Sequence, residues 1–190
     1  PEMEHGTIIA TVDGKAVDDL SKIPGGSKVE LQARADRGWH FKNWVVNGTD
    51  ATAKPNGTYT ISELAGDLSI SAEFAQSDSY TAKATAAASN GTVKYTLYDI
   101  YGKEVETKAM PAEGVTIYKD EEITFHAAPK TGYQVEQWEV NGKKTAGNSK
   151  TNPEGKIRAD KNITATVYFK VTASYQLTFG TADKNGHLTA

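Results

Sequence analysis

Apolar and polar residues alternate along most of the chain, and the alternation comes in blocks that recur. Ile8, Ala10 and Val12 share one parity, and after Gly91 the residues Val93, Tyr95 and Leu97 repeat the arrangement. Val29, Leu31 and Ala33 alternate with Lys28, Glu30 and Gln32, just as Ile123, Phe125 and Ala127 alternate with Glu122, Thr124 and His126. A period of two places successive side chains on opposite faces, so each block predicts a strand with one buried and one wet face.

The most distinctive block is an eleven-residue stretch carried twice. Gly38-Trp39-His40-Phe41-Lys42-Asn43-Trp44-Val45-Val46-Asn47-Gly48 is answered by Gly132-Tyr133-Gln134-Val135-Glu136-Gln137-Trp138-Glu139-Val140-Asn141-Gly142. An aromatic second position, an apolar fourth, a Trp, a Val and a closing Asn-Gly survive, while the charges between them change. That pattern predicts Trp44 and Trp138 as core anchors rather than as parts of an active site. Trp39 and Phe41 share one parity whereas Trp44 and Val46 share the other, so a bulge near Lys42-Asn43 and Glu136-Gln137 is needed to aim both sets at one core. Asn-Gly then supplies the positive φ of a tight turn.

Polar stretches follow from Asp50 to Thr58 and from Lys143 to Gly155, expected as exposed loops, and short strands are expected around Tyr59 and Ile61 and around Ile157. Leu68, Ile70, Ala72 and Phe74 match Ile163, Ala165, Val167 and Phe169 as closing strands, with Phe74 and Phe169 in the core. Two segments break the symmetry. Val17 and Leu20, three apart, predict a single helical turn before Pro24-Gly25-Gly26, and the second copy carries nine additional residues between Tyr98 and Ile117, expected as an extended excursion or hairpin.

These repeats predict a mainly β protein built of two tandem small β-rich modules, β-grasp-like or small β-sandwiches, at residues 1–76 and 77–171. The first lacks its first strand and the second holds the longer insertion. Ser79-Tyr80 recurs as Ser174-Tyr175 and Asn90-Gly91 as Asn185-Gly186, so residues 172–190 are expected to be the opening hairpin of a truncated third repeat. With an incomplete repeat at each end, the terminal hairpin is expected either to make strand pairing between molecules, at the open edge of a neighbour, or to pack on the second module.

Composition then narrows the chemistry. The 190 residues carry a formal charge of −3 with Lys and Arg scattered singly, which leaves no basic footprint for nucleic acid. No apolar run is long enough to span a membrane, and residues 1–4 show no secretion signal. The opening on Pro1 rather than Met fits a piece of a longer protein. Cysteine is absent, which removes disulfides and thiolate chemistry.

His5, His40, His126 and His187 are not ligand-spaced, and His126 falls on a wet strand face. Asp13, Asp18 and Asp19, or Asp183-Lys184-Asn185-Gly186, lack the alternating oxygens of a calcium loop. No nucleophile elbow, phosphate loop or dinucleotide fingerprint occurs. Neither catalytic residues nor a cofactor are expected. The best binding candidates are aromatic rings beside turns or in the insertion, namely Tyr101, Tyr98, Trp39 and Tyr133, which suit stacking on a glycan or anchoring a host or extracellular-matrix protein.

The G-aromatic-x-apolar-x-x-W core, with Gly38, Trp39, Phe41 and Trp44 followed by Leu68 to Phe74, and Gly132, Tyr133, Val135 and Trp138 followed by Ile163 to Phe169, resembles the divergent InlB B-repeat family and the related Listeria-Bacteroides repeats. The resemblance implies β-rich, β-grasp-like modules in tandem on bacterial, chiefly Gram-positive, surface proteins. It further implies an extracellular location at the cell surface or wall, and a non-catalytic role as stalk, spacer or adhesion segment. The alternative is a carbohydrate-binding module of a secreted enzyme. Val45-Val46 and Glu139-Val140 depart from the family's usual residues after the Trp.

Overall fold

The computed structural model describes residues 2–51, 57–145 and 155–176, and among these it contains strands and turns but no helix. The N-terminal unit is formed by β1 (Glu2–Met3), β2 (Gly6–Val12), β3 (Lys15–Ala16), β4 (Val29–Ala35), β5 (Trp39–Val46), β6 (Thr49–Ala51), β7 (Thr58–Ile61) and β8 (Ile70–Gln76). One sheet runs β1-β2-β4-β7, with β3 also paired to β2, and the other runs β6-β5-β8.

The C-terminal unit comprises β9 (Ser79–Ala86), β10 (Gly91–Tyr98), β11 (Glu104–Ala109), β12 (Val115–Tyr118), β13 (Glu122–Pro129), β14 (Tyr133–Val140), β15 (Lys143–Lys144), β16 (Ile157–Arg158) and β17 (Ile163–Val171). Its sheets run β11-β10-β13-β16 and β12-β9-β17-β14-β15. Among the described residues no strand is shared between the two units. Each unit packs one sheet on the other around its own core, so of the two expected shapes the small sandwich is the one found.

The alternating blocks form the inner faces. Ile8, Ala10, Val29, Leu31 and Ala33 are buried from one sheet of the N-terminal unit, and Trp44 and Ala72 from the other. Val93, Tyr95, Leu97, Ile123 and Phe125 meet Trp138, Ile163, Ala165 and Val167 in the C-terminal unit. Trp44 and Trp138 are both fully buried. The bulges fall where the parity change requires them, between Phe41 and Asn43 and between Val135 and Gln137. Phe74 and Phe169 sit at the rims of the cores, where their rings press on glycine backbone; a Cβ at Gly6 or Gly91 would overlap them.

The Asn-Gly turns do more than reverse the chain. Asn47 and Asn141 adopt φ of 50° and 48°, and each backbone N–H donates to the closing segment, at Ser69 O and Thr164 O, over 2.8 Å. Each side-chain Oδ1 accepts from the N–H of the same residue over 2.9 Å. The side chain therefore ties the signature hairpin to the strand that follows it.

Several expectations give way. No helical turn forms at Val17 and Leu20; Asp13 and Gly14, both at positive φ, make a tight turn that folds Lys15–Ala16 back on β2. Asp13 Oδ1 accepts from Lys28 N over 2.9 Å, so its oxygen serves that turn. The polar stretches after the signature begin as short strands, β6 and β15, and their remainder at 52–56 and 146–154 lies outside the described residues. Leu68 precedes its strand and is 42% exposed, whereas its counterpart Ile163 is 1% exposed. The hairpin expected at the C-terminal end falls mostly on residues 177–190, outside the described residues, and residues 172–176 are not in a strand.

Candidate functional site at the junction of the units

The nine-residue insertion folds as the hairpin β10–β11, turned by Asp99 to Lys103, with Asp99 Oδ1 accepting from the N–H groups of Tyr101 and Lys103. The turn carries Tyr101 to the N-terminal unit. Its hydroxyl accepts from Ala35 N–H over 2.7 Å, and the Arg34 guanidinium lies 4.3 Å from the centre of its ring.

Beside it the two units are joined by a buried charge. Glu121, 1% exposed, accepts from Arg37 Nε over 2.8 Å and from Arg37 Nη2 over 3.1 Å. The backbone N–H of Tyr118 donates to its Oε2 over 2.9 Å. Arg37 also donates to Thr116 O over 3.0 Å and lies over the Tyr118 ring. A carboxylate removed from water is tolerated only when its lone pairs are met, and here a forked guanidinium and a backbone amide meet them. Its counterpart in the N-terminal unit is the neutral Ser27, also buried.

Gly38 shows how closely the units approach. With φ at 87°, a Cβ there would lie 3.0 Å from Tyr118 Cζ, while a Cβ at its counterpart Gly132 would meet nothing within 4 Å among the described residues. The Gly-aromatic turn of one unit is thus the seat for the next.

A cleft of about 300 Å³ opens at this junction, lined by Arg37, Trp39, Tyr101, Val105, Tyr118 and Glu121 among others. On the hairpin β10–β11 the Tyr95 hydroxyl donates to Glu106 over 2.5 Å. Burial, then that bond, pushes the phenol up to about 12, and Lys108 followed by Tyr95 holds the Glu106 carboxyl below its ordinary range.

Of the candidate rings, the structure brings Trp39 and Tyr101 to this cleft but not Tyr98 or Tyr133. His5 stacks on Trp39 with ring centres 3.5 Å apart and planes 5° from parallel, Arg34 covers one face of Tyr101, and Lys156 Nζ lies 3.7 Å from the centre of Tyr98. Tyr133 is half-buried on β14, opposite Val171. The described histidines go to separate neighbours: His5 to Trp39, His40 to Ser77, and His126 to Thr96 on a face more covered than its polar pattern implies. His187 and the stretch Asp183 to Gly186 lie outside the described residues. Arg37, Tyr118 and Glu121, which make the junction, stand outside the repeated signature. The sequence signal for Glu121 is weak, because the whole approach to the strand changes from Pro24-Gly25-Gly26-Ser27 to Tyr118-Lys119-Asp120-Glu121.

Two sandwiches of one design, joined end to end by a polar clamp, define a tandem β-repeat protein. The sequence profile of the divergent InlB B-repeat domain matches residues 5–78 and 115–173, and the chain belongs to that family. The unmatched stretch between them holds β9, β10 and the insertion. The family is one of repeat domains and is generally found on bacterial surface proteins. No curated protein matches the chain.

Proposed function

We propose that the chain is a non-catalytic spacer or stalk segment of a bacterial surface protein, standing outside the cell at the surface or wall. In this reading residues 1–76 and 77–171 are successive modules, and residues 172–190 open a third. The observation that carries it is the junction: Arg37 with Glu121, Tyr101 on Ala35, and Tyr118 against Gly38 hold one module on the next through side chains that a freely jointed linker would not need. Only Ser77 and Asp78 separate β8 from β9, which leaves little slack. Adhesion to a host or extracellular-matrix protein is a further use of the same segment.

Small-angle scattering on dilute protein tests the spacer reading. A single, stiff pair-distance distribution is expected, unchanged between low and high salt and broadened by Arg37→Ala with Tyr101→Ala. Two independently moving bodies in the wild type would end it. The carbohydrate-binding alternative is less well served, because His5, Arg34 and Lys156 already occupy faces of Trp39, Tyr101 and Tyr98. Saturable binding on a glycan array, lost in Tyr101→Ala, would favour it.

A further inference from the structure

Asparagine followed by glycine is chemically labile. The glycine nitrogen, once it sheds its proton, can attack the asparagine Cγ; a C–N bond forms, ammonia leaves, and water then opens the succinimide to isoaspartate or aspartate. The described residues hold three such pairs, Asn47-Gly48, Asn90-Gly91 and Asn141-Gly142. The fold treats one of them differently from the other two.

At Asn47 and Asn141 the electrophile is tied down. Each Oδ1 accepts from the N–H of Ser69 or Thr164 over 2.9 Å, and the carbonyl of that same residue takes the asparagine's own N–H over 2.8 Å. Cγ cannot turn onto the glycine nitrogen until the first of these bonds breaks. Asn90 is half-buried in the turn between β9 and β10, and among the described residues its side chain makes no hydrogen bond.

The nucleophile at Gly91 is free as well. Lys130 N–H donates to Asn90 O over 2.8 Å, which makes Asn90 and Lys130 a bonded pair beside the β10–β13 ladder. Gly91, opposite Pro129, then falls at the intervening unbonded position, and its N–H turns to the β11 side. Pairing with β11 begins only at Lys94 with Ala109, so no strand meets it there. The Lys130 bond also draws electron density out of the Asn90–Gly91 peptide group through its oxygen, so the attached N–H gives up its proton more readily. Among the described residues no backbone N–H reaches the carbonyls of Asn47 or Asn141.

We propose that Asn90 is a self-modification site, at which Gly91 N attacks Asn90 Cγ and converts the residue, slowly and without an enzyme, mainly to isoaspartate. Asn47 and Asn141 persist for as long as their units stay folded. The isoaspartate product reroutes the main chain through Cγ, adding one carbon to the turn between β9 and β10. The former Asn90 carbonyl, acceptor of the Lys130 bond, becomes a free carboxylate. Gly91 lies too close under the Phe169 ring for even a Cβ, so the lengthened turn presses on the rim of the core. Modification therefore loosens the C-terminal unit. The N-terminal counterpart of the pair is His5-Gly6, which has no amide to lose.

The test is to hold the full chain at neutral pH and body temperature for weeks, folded and in urea. Tryptic peptides 84–94 and 131–143 isolate Asn90 and Asn141, and fragment spectra of peptide 43–83 place Asn47. In the folded chain isoaspartate, scored with an isoaspartyl methyltransferase, should accumulate at Asn90 at least about fivefold faster than at the other two, the ratio that one hydrogen bond of restraint gives. In urea the three rates should converge. Ser69→Pro removes the donor to Asn47 Oδ1, and should raise the Asn47 rate toward that of Asn90 while Asn141 stays slow. The isoaspartate form, separated by ion exchange, should unfold its C-terminal unit at a lower urea concentration, whereas Asn90→Asp should keep the wild-type midpoint. Equal rates in the folded chain would overturn the inference. So would the same ranking in urea, which would trace the difference to sequence neighbours and not to the fold; that comparison decides even if Ser69→Pro does not fold.

Discussion

The two units use one plan and finish it differently. Each lays a strand pair bearing alternating apolar residues over a signature hairpin bearing a buried Trp. In the C-terminal unit β9 and β12 extend the signature sheet, and Leu97, Ile117, Ile123, Phe125, Val135, Trp138, Ile163 and Val167 are all less than 2% exposed. In the N-terminal unit Trp44 is the one large apolar side chain that reaches that level among the described residues. Leu68 is exposed and Ile70 half-buried where Ile163 and Ala165 are covered. A shared signature therefore sets the shape of a unit, while its sealing depends on strands outside the signature.

The comparison can be broken hardest at the tryptophans. Trp138→Ala and Trp44→Ala should each cost about 3–5 kcal/mol, and each loss should appear in its own unit when chemical denaturation is followed by two-dimensional NMR. Because the C-terminal core is fuller, the N-terminal unit should unfold at the lower denaturant concentration. A single concerted transition, insensitive to which Trp is removed, would refute separate cores. The junction ranks next. Removing the Arg37 side chain strands the buried carboxylate of Glu121, and a fully buried pair broken in this way loses about 3–5 kcal/mol; with the Arg37 side chain 37% exposed, the expected loss lies at or below the lower end of that range. The test is a double-mutant cycle with Glu121→Gln, in which additivity would deny the coupling.

A smaller effect belongs to the turn asparagines. Asn47→Ala and Asn141→Ala each lose two things, the bond to the closing segment and a residue tolerant of positive φ, for about 1–3 kcal/mol together. Equal losses in the two units, read from urea midpoints, would show the clamp to be part of the shared plan. The smallest change at neutral pH is the one that separates the units by chemistry. Tyr95 holds its proton up to about 12 in the folded C-terminal unit, whereas the N-terminal counterpart is Ala10. Its raised value means a contribution fully present below the ordinary phenol range near pH 10 and lost as pH climbs toward 12. Phenolate absorbance should show one late-titrating tyrosine, missing in Tyr95→Phe, and the alkaline decline in melting temperature should fall on the C-terminal unit.

Much of the architecture was legible because it is periodic. The alternation at Val29 to Ala33 and Ile123 to Ala127, the parity change at Lys42-Asn43, and the Asn-Gly turns all state local geometry in local residues. The expected helical turn failed because two apolar residues at spacing three are weak evidence beside Asp13-Gly14, whose paired positive φ dictates a hairpin. The junction was not legible for a different reason. Arg37 and Glu121 are 84 positions apart and sit in different units, so no window of sequence contains both. Tyr101 could be singled out as an unusual ring in an insertion, but its bond to the Ala35 amide depends on where the hairpin ends in space.

The parallel pairing of β9 with β17 sets how the C-terminal unit bears load. Its first and last strands lie side by side over five paired positions, from Ile163 with Ala82 to Val167 with Ala86. Force transmitted along the polypeptide from both ends pulls these strands past each other, so the bridging bonds resist together instead of peeling in turn. Among the described residues of the N-terminal unit β8 pairs with β5 alone, so this side-by-side geometry is seen in the C-terminal unit.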